Sequence, residues 1–153
     1  MSTESMLDPL AKRFGYALKR AQNALRAAID EALRPLALTA PQYAVLAAIE
    51  LDPGLSNAAL ARAAFVTPQT MHGIVANLER AGMLRRKSDP AHARILQTEL
   101  TRRGATTLRR AHACVAAVEA RMLGALAPVA VESLTQTLLA CADALGVDDA
   151  ERG

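Results

Sequence analysis

The chain has 153 residues, 52% of them hydrophobic, enough for one compact unit with a substantial core. No apolar run approaches the roughly 18 residues of a membrane helix, and Glu4 and Asp8 interrupt what a signal peptide would need, so a soluble cytoplasmic protein without membrane contact is expected. The net charge of +3 is unevenly spread: Arg62 to His112 holds ten Lys/Arg against three acidic residues, a net of +7, while the rest holds eight basic and twelve acidic, a net of −4.

Residues 7 to 33 place Leu7, Leu10, Phe14, Ala17, Ala21, Leu25 and Ala28 on one helical face, predicting a long amphipathic helix that Pro35 ends. Thr39 and Pro41 open a second helix running to about Leu51, with Tyr43, Val45, Leu46 and Ile49 inward. Asp52-Pro53-Gly54 is a turn signal, and Ser56 caps a short third helix, Asn57 to Ala63. Thr67-Pro68, a cap followed by proline at the first helical position, starts a fourth helix that Gly82 stops. Residues 84 to 100 read as strand, turn, strand, with Arg85-Arg86-Lys87 on the first arm. Thr101 caps a fifth helix with the stripe Leu108, Ala111, Val115, Val118, Met122, and Pro128 separates it from a sixth carrying Leu134, Leu138, Cys141 and Leu145. The fold class is therefore mainly α with a small β-hairpin (α+β).

The fourth helix carries the functional signal. Met71, Ile74, Val75 and Leu78 share one side, while Gln69, Gly73, Ala76, Asn77 and Arg80 share the other. A plain solvated face would favour Glu and Lys, whereas here amides alternate with very small residues. An α-helix fits the major groove of double-stranded DNA, where Gln and Asn bond to base edges and small residues permit close approach. Thr67, Gln69, Thr70 and His72 crowd the N-terminal turns, which usually meet bases, and Asn77 and Arg80 follow further along. Each also has a plain reading: Thr67 as a cap, the others as surface groups, the basic cluster as a solvated face. Arg85, Arg86 and Lys87 suit phosphate neutralisation.

Leu-Thr-x-x-Gln-Tyr-x-Val-Leu at 38 to 46, Leu60-Ala61, Val66-Thr67-Pro68-Gln69-Thr70, Leu78-Glu79-x-x-Gly82 and Leu100-Thr101-x-x-Gly104 occur in one register. That pattern resembles the MarR (multiple antibiotic resistance regulator) family over about Leu7 to Leu145. The resemblance implies a winged helix-turn-helix lobe at 38 to 100, between an N-terminal dimerisation helix at 1 to 37 and C-terminal dimerisation helices at 101 to 153. It implies a homodimer acting as a transcription regulator, by analogy a repressor, and two-fold symmetry then predicts a pseudo-palindromic operator. Leu7, Leu10, Leu108, Val115, Val118, Met122, Leu134 and Leu138 are the expected dimer contacts. Relatives also bind small aromatic or phenolic effectors between the dimer helices and the lobe, where Phe14, Tyr43 and Leu46 are the candidate lining, with ordinary core packing as their plain alternative.

The hairpin tip departs from the family pattern. Where relatives carry an acidic residue and two arginines, this chain reads His92-Ala93-Arg94, leaving Arg94 as the expected wing contact with DNA. A protein-interaction or non-specific DNA-binding module with a degenerate wing is the alternative reading. No glycine loop, nucleophile elbow or nucleophile-base pairing suggests an enzyme. Cys114 and Cys141 lack metal or redox spacing, and His72, His92 and His112 are scattered, so no metal or cofactor is expected.

Overall fold

The structure, a computed structural model, describes residues 12–88 and 96–146 together with Pro9 and Ala91. Leu7, Leu10, His92, Ala93 and Arg94 lie outside the described residues. In chain order the described elements are α1 (Phe14–Leu33), a 3-10 turn (Arg34–Leu36), α2 (Ala40–Leu51), α3 (Asn57–Ala63), α4 (Pro68–Arg80), β1 (Leu84–Ser88), β2 (Leu96–Leu100), α5 (Arg102–Leu123) and α6 (Pro128–Ala144). Among the described residues no single helix is long and apolar enough to cross a membrane.

Local chemistry sets the helix starts. Thr39 and Gln42 form a reciprocal capping box at α2, and Ser56, Thr67 and Thr101 each accept a backbone N–H from three residues on, capping α3, α4 and α5. Such a cap contributes about 1 kcal/mol. Asp30 adds a cross-helix fastening, its Oδ1 accepting from the Ala40 N–H at 2.6 Å and so holding the start of α2 to α1.

Two helix ends use the same left-handed turn with different residues. After α4, Gly82 takes φ 69° while the Gly82 and Met83 amides bond back to Glu79 and Leu78, leaving Met83 buried. After α3, Phe65 takes φ 54° while the Phe65 and Val66 amides bond back to Arg62 and Ala61. A bulky residue in this conformation is strained, and the Phe65 ring is 93% exposed, so burial does not compensate the strain within the chain.

The core lies where α2, α4 and α5 converge. Leu33, Val45, Leu46, Ile49, Met71, Leu78 and Leu108 are its fully buried side chains, each worth about 1.5–3 kcal/mol of burial. The hairpin is antiparallel, Leu84 opposite Leu100 and Arg86 opposite Thr98. Its root is locked to α5: Thr101 donates from its N–H to Met83 O at 3.0 Å and from its hydroxyl to Gly82 O at 2.6 Å. Gly104 is obligatory here, since a Cβ would fall 2.0 Å from the Met83 carbonyl oxygen.

This packing corrects two expectations. Leu108 was expected at the dimer contact but is fully buried within one chain, where no partner can reach it, and Val115 and Val118 are nearly so. The cause is that α5 begins inside the lobe and turns its stripe onto the chain's own core and α1 before running out. Leu46, expected to line a ligand crevice, is likewise fully buried in the core. Met122, Leu134 and Leu138 keep 47%, 41% and 37% of their surface exposed, and no residue of α6 is buried.

Candidate nucleic-acid interface

The inward face of α4 is Met71, Val75 and Leu78, all buried, with Ile74 partly so. That anchoring turns Thr67, Gln69, Thr70, His72, Gly73, Asn77 and Arg80 to solvent, and all seven are exposed. The structure thus brings six of the eight residues expected at DNA onto one face of one helix. Arg86 stands beside them on β1, and Arg94 lies outside the described residues.

The N-terminal turn of α4 is arranged for external acceptors. Thr67 Oγ1 accepts the Thr70 N–H at 3.1 Å and its hydroxyl donates to Thr70 Oγ1 at 2.9 Å, leaving the Thr70 hydroxyl proton free to point elsewhere. The positive end of the helix dipole adds to this donor character. At the other end Arg80 donates to Asn77 Oδ1, so the pair presents the amide NH2 and the remaining guanidinium N–H groups, a donor-rich end suited to phosphate. Between them, a Cβ on Gly73 would meet nothing of the chain within 4 Å. Packing inside the protein therefore does not require glycine at that position.

Two ion pairs couple the hairpin to its surroundings. Arg86 Nε donates to Glu79 of α4 at 2.8 Å, and Arg85 Nε donates to Glu99 across the hairpin at 2.5 Å. Both arginines are half-exposed or more, so solvent screening leaves each pair worth up to about 1 kcal/mol. Their geometric effect is larger, because the Arg86–Glu79 link fixes the angle between hairpin arm and helix. On the inner side Asn57 of α3 donates to the Pro68 carbonyl and approaches His72.

Of the expected ligand residues, Phe14 is 64% exposed at the start of α1, and Tyr43 belongs to a different arrangement. Its hydroxyl lies 3.0 Å from His112 Nδ1, and His112 Nε2 lies 3.0 Å from Glu50, a polar chain bridging α2 and α5. Burial raises the Tyr43 pKa above its usual 10, and the carboxylates of Glu119 and Glu50 add to that. A separate cavity of about 230 Å³ opens between α1, the start of α2 and the α3–α4 turn. Gln22, Leu25, Arg26, Ile29, Pro41 and Phe65 are among its walls, and none of Phe14, Tyr43 and Leu46 is.

Sequence reasoning missed Asn57, Glu79, Glu99, Arg26 and the Tyr43–His112–Glu50 chain. The Arg85–Glu99 pair had a signal, since a hairpin pairing Leu84 with Leu100 puts 85 opposite 99. The others depend on how separate elements pack against one another, which no local pattern encodes.

A sequence profile described as the MarR family matches residues 38–95. The HTH-type transcriptional repressor Rv2887 of Mycobacterium tuberculosis is 43% identical over 112 residues, 73% of this chain and 81% of the relative. The solved structure of that MarR family protein with salicylic acid superposes with a TM-score of 0.72 at 38% identity, covering 84% of this chain and 96% of the other. Its complex with DNA gives a TM-score of 0.67 at 36% identity, covering 84% and 97%.

Proposed function

The chain belongs to the MarR family of transcription regulators, and on that footing we propose that it is a homodimeric repressor whose α4 helices read a pseudo-palindromic operator. The observation that carries the reading is the outer face of α4, where amides, hydroxyls and a bare glycine stand exposed on a helix anchored by Met71, Val75 and Leu78. Gln69, Thr70 and His72 reach base edges, and Thr67 caps and orients that turn. Asn77, Arg80 and Arg86 neutralise phosphates. The hairpin carrying Arg94 follows the adjoining backbone or minor groove. Met122, Leu134 and Leu138 meet the second copy, together with Leu7 and Leu10, and two-fold symmetry sets the half-sites about one helical turn apart.

The relative Rv2887 has been solved with salicylic acid, and the cavity beside Phe65 has the chemistry for a ligand of that class. Its walls are mostly apolar, Arg26 supplies a cation held only loosely by Asp30 at 4.0 Å, and its 230 Å³ suits a one-ring acid. It lies at the joint between α1 and the lobe. A ligand there lowers operator affinity to the extent that it prefers the lobe spacing that does not fit DNA. The strained turn at Phe65, a residue that lines this cavity, is a natural place for such a preference.

Selection of genomic fragments by the purified dimer at two salt concentrations tests the operator reading. The expected result is an enriched palindrome with one-turn half-site spacing and binding that weakens steeply with salt. Binding without an enriched sequence would leave a non-specific DNA-binding module, and salt-insensitive or absent binding a protein-interaction module. With the operator in hand, salicylate should release it, and Arg26→Gln should raise the salicylate needed by about tenfold.

A further inference from the structure

His72 offers DNA a donor or an acceptor at a given ring atom according to which nitrogen carries the proton. Asn57, on the first turn of α3, decides the matter. Its Nδ2 donates to the Pro68 carbonyl oxygen at 3.3 Å and lies 3.5 Å from His72 Nε2. A carbonyl oxygen only accepts, so the amide must turn its NH2 that way; reversing it would set two oxygens against each other. The second amide hydrogen then meets His72 Nε2, which faces it with a lone pair. Arg86 lines the same notch of about 140 Å³ and is also a donor without acceptor capacity; Ser56 and Thr98 line it too, but among the described residues neither hydroxyl bonds His72, and Ser56 Oγ already accepts the Ala59 N–H. His72 makes no other hydrogen bond among the described residues, so with Nε2 as the acceptor of this contact the proton of the neutral ring belongs on Nδ1.

We propose that Asn57 is a positioning residue that holds neutral His72 in the Nδ1–H form, so that α4 presents a hydrogen-bond donor to DNA at that point. Such a donor selects an acceptor: purine N7, guanine O6, thymine O4 or a phosphate oxygen, and never the amino groups of cytosine or adenine. The inference rests on α4 being the helix that enters the groove, and it adds a residue of the preceding helix that acts through another side chain.

Long-range proton–nitrogen correlation spectra of the free, 15N-histidine-labelled full chain, recorded above the imidazole titration, report the tautomer without any DNA. His72→Ala identifies the signal. The expected result is an Nδ1–H pattern for His72, lost in Asn57→Ala and replaced by Nε2–H in Asn57→Asp, whose carboxylate accepts there. Alanine is well tolerated in a helix, so Asn57→Ala keeps the fold. In operator binding Asn57→Ala should cost about tenfold with His72 present and less than about twofold in the His72→Ala background. An Nε2–H pattern in the unmodified chain overturns the assignment whatever the DNA result. Equal losses in both backgrounds overturn the link to DNA reading. Full operator binding by Gln69→Ala and His72→Ala together would show instead that α4 is not the reading helix, whatever the spectra show.

Discussion

The winged lobe and the C-terminal helix treat apolar residues in opposite ways. In the lobe, α2, α4 and α5 turn their apolar faces onto one another until Leu46, Met71, Leu78 and Leu108 are sealed. In α6, Leu134, Leu138 and Leu139, with Leu145 just past its end, all remain at the surface, and the helix makes no substantial contact with any other described element. The two regions use similar side chains, so the difference lies in what completes each. The lobe is a core finished by one chain, whereas α6 is one half of a core whose other half must come from elsewhere. Helix α5 belongs to both, sealed at Leu108 and open at Met122.

Substitutions at the two ends should therefore fail differently. Leu108→Ala should have the largest effect, lowering unfolding free energy by about 2–5 kcal/mol through the lost burial and the cavity left behind. Chemical denaturation measures this, and sedimentation of the folded fraction should still show a dimer. Leu138→Glu should instead weaken the dimer about a hundredfold or more, since each of two symmetry-related carboxylates would replace a buried leucine. Its lobe should keep near-native near-UV dichroism. A dimeric sedimentation profile for Leu138→Glu, or an unfolded lobe, would break the comparison between the two regions.

The outer face of α4 is a third kind of surface, polar and left unfinished by the chain. Gln69→Ala should leave stability within about 0.5 kcal/mol, as a surface change does, yet reduce discrimination between operator and random DNA by about 1–3 kcal/mol per half-site. Competition binding against random duplex measures it, and unchanged discrimination would remove Gln69 from the readers.

What the sequence disclosed follows the range of the interaction responsible. Thr39, Ser56, Thr67 and Thr101 were legible as caps because a cap acts over three residues, and Pro68 and Gly82 marked the two ends of α4 for equally local reasons. The two faces of α4 followed from helical periodicity alone. Leu108 was misassigned because a stripe shows that a face is apolar and not which surface covers it. The same limit left Leu46 open between core and crevice, since its facing the core and not the cavity depends on how α2 sits against α4 and α5. Arg86–Glu79 and Asn57–His72 depend on the angle between packed elements, which no local pattern encodes.

The smallest expected effect is also the sharpest test of that unfinished surface. Gly73 sits in the middle of α4, where glycine costs up to about 1 kcal/mol relative to alanine, and a Cβ there would meet nothing of the chain within 4 Å. Nothing inside the protein therefore offsets the cost. Gly73→Ala should raise the unfolding free energy by several tenths of a kcal/mol up to about 1 kcal/mol, read from denaturant midpoints at constant slope. If the outer face lies close against DNA, the added methyl group should lower operator affinity by about two- to fivefold, so the two measurements move in opposite directions. A variant that is both more stable and an equally good binder would mean that the helix stands off the groove at this point, and close approach would then be confined to the turn holding Gln69 and Thr70.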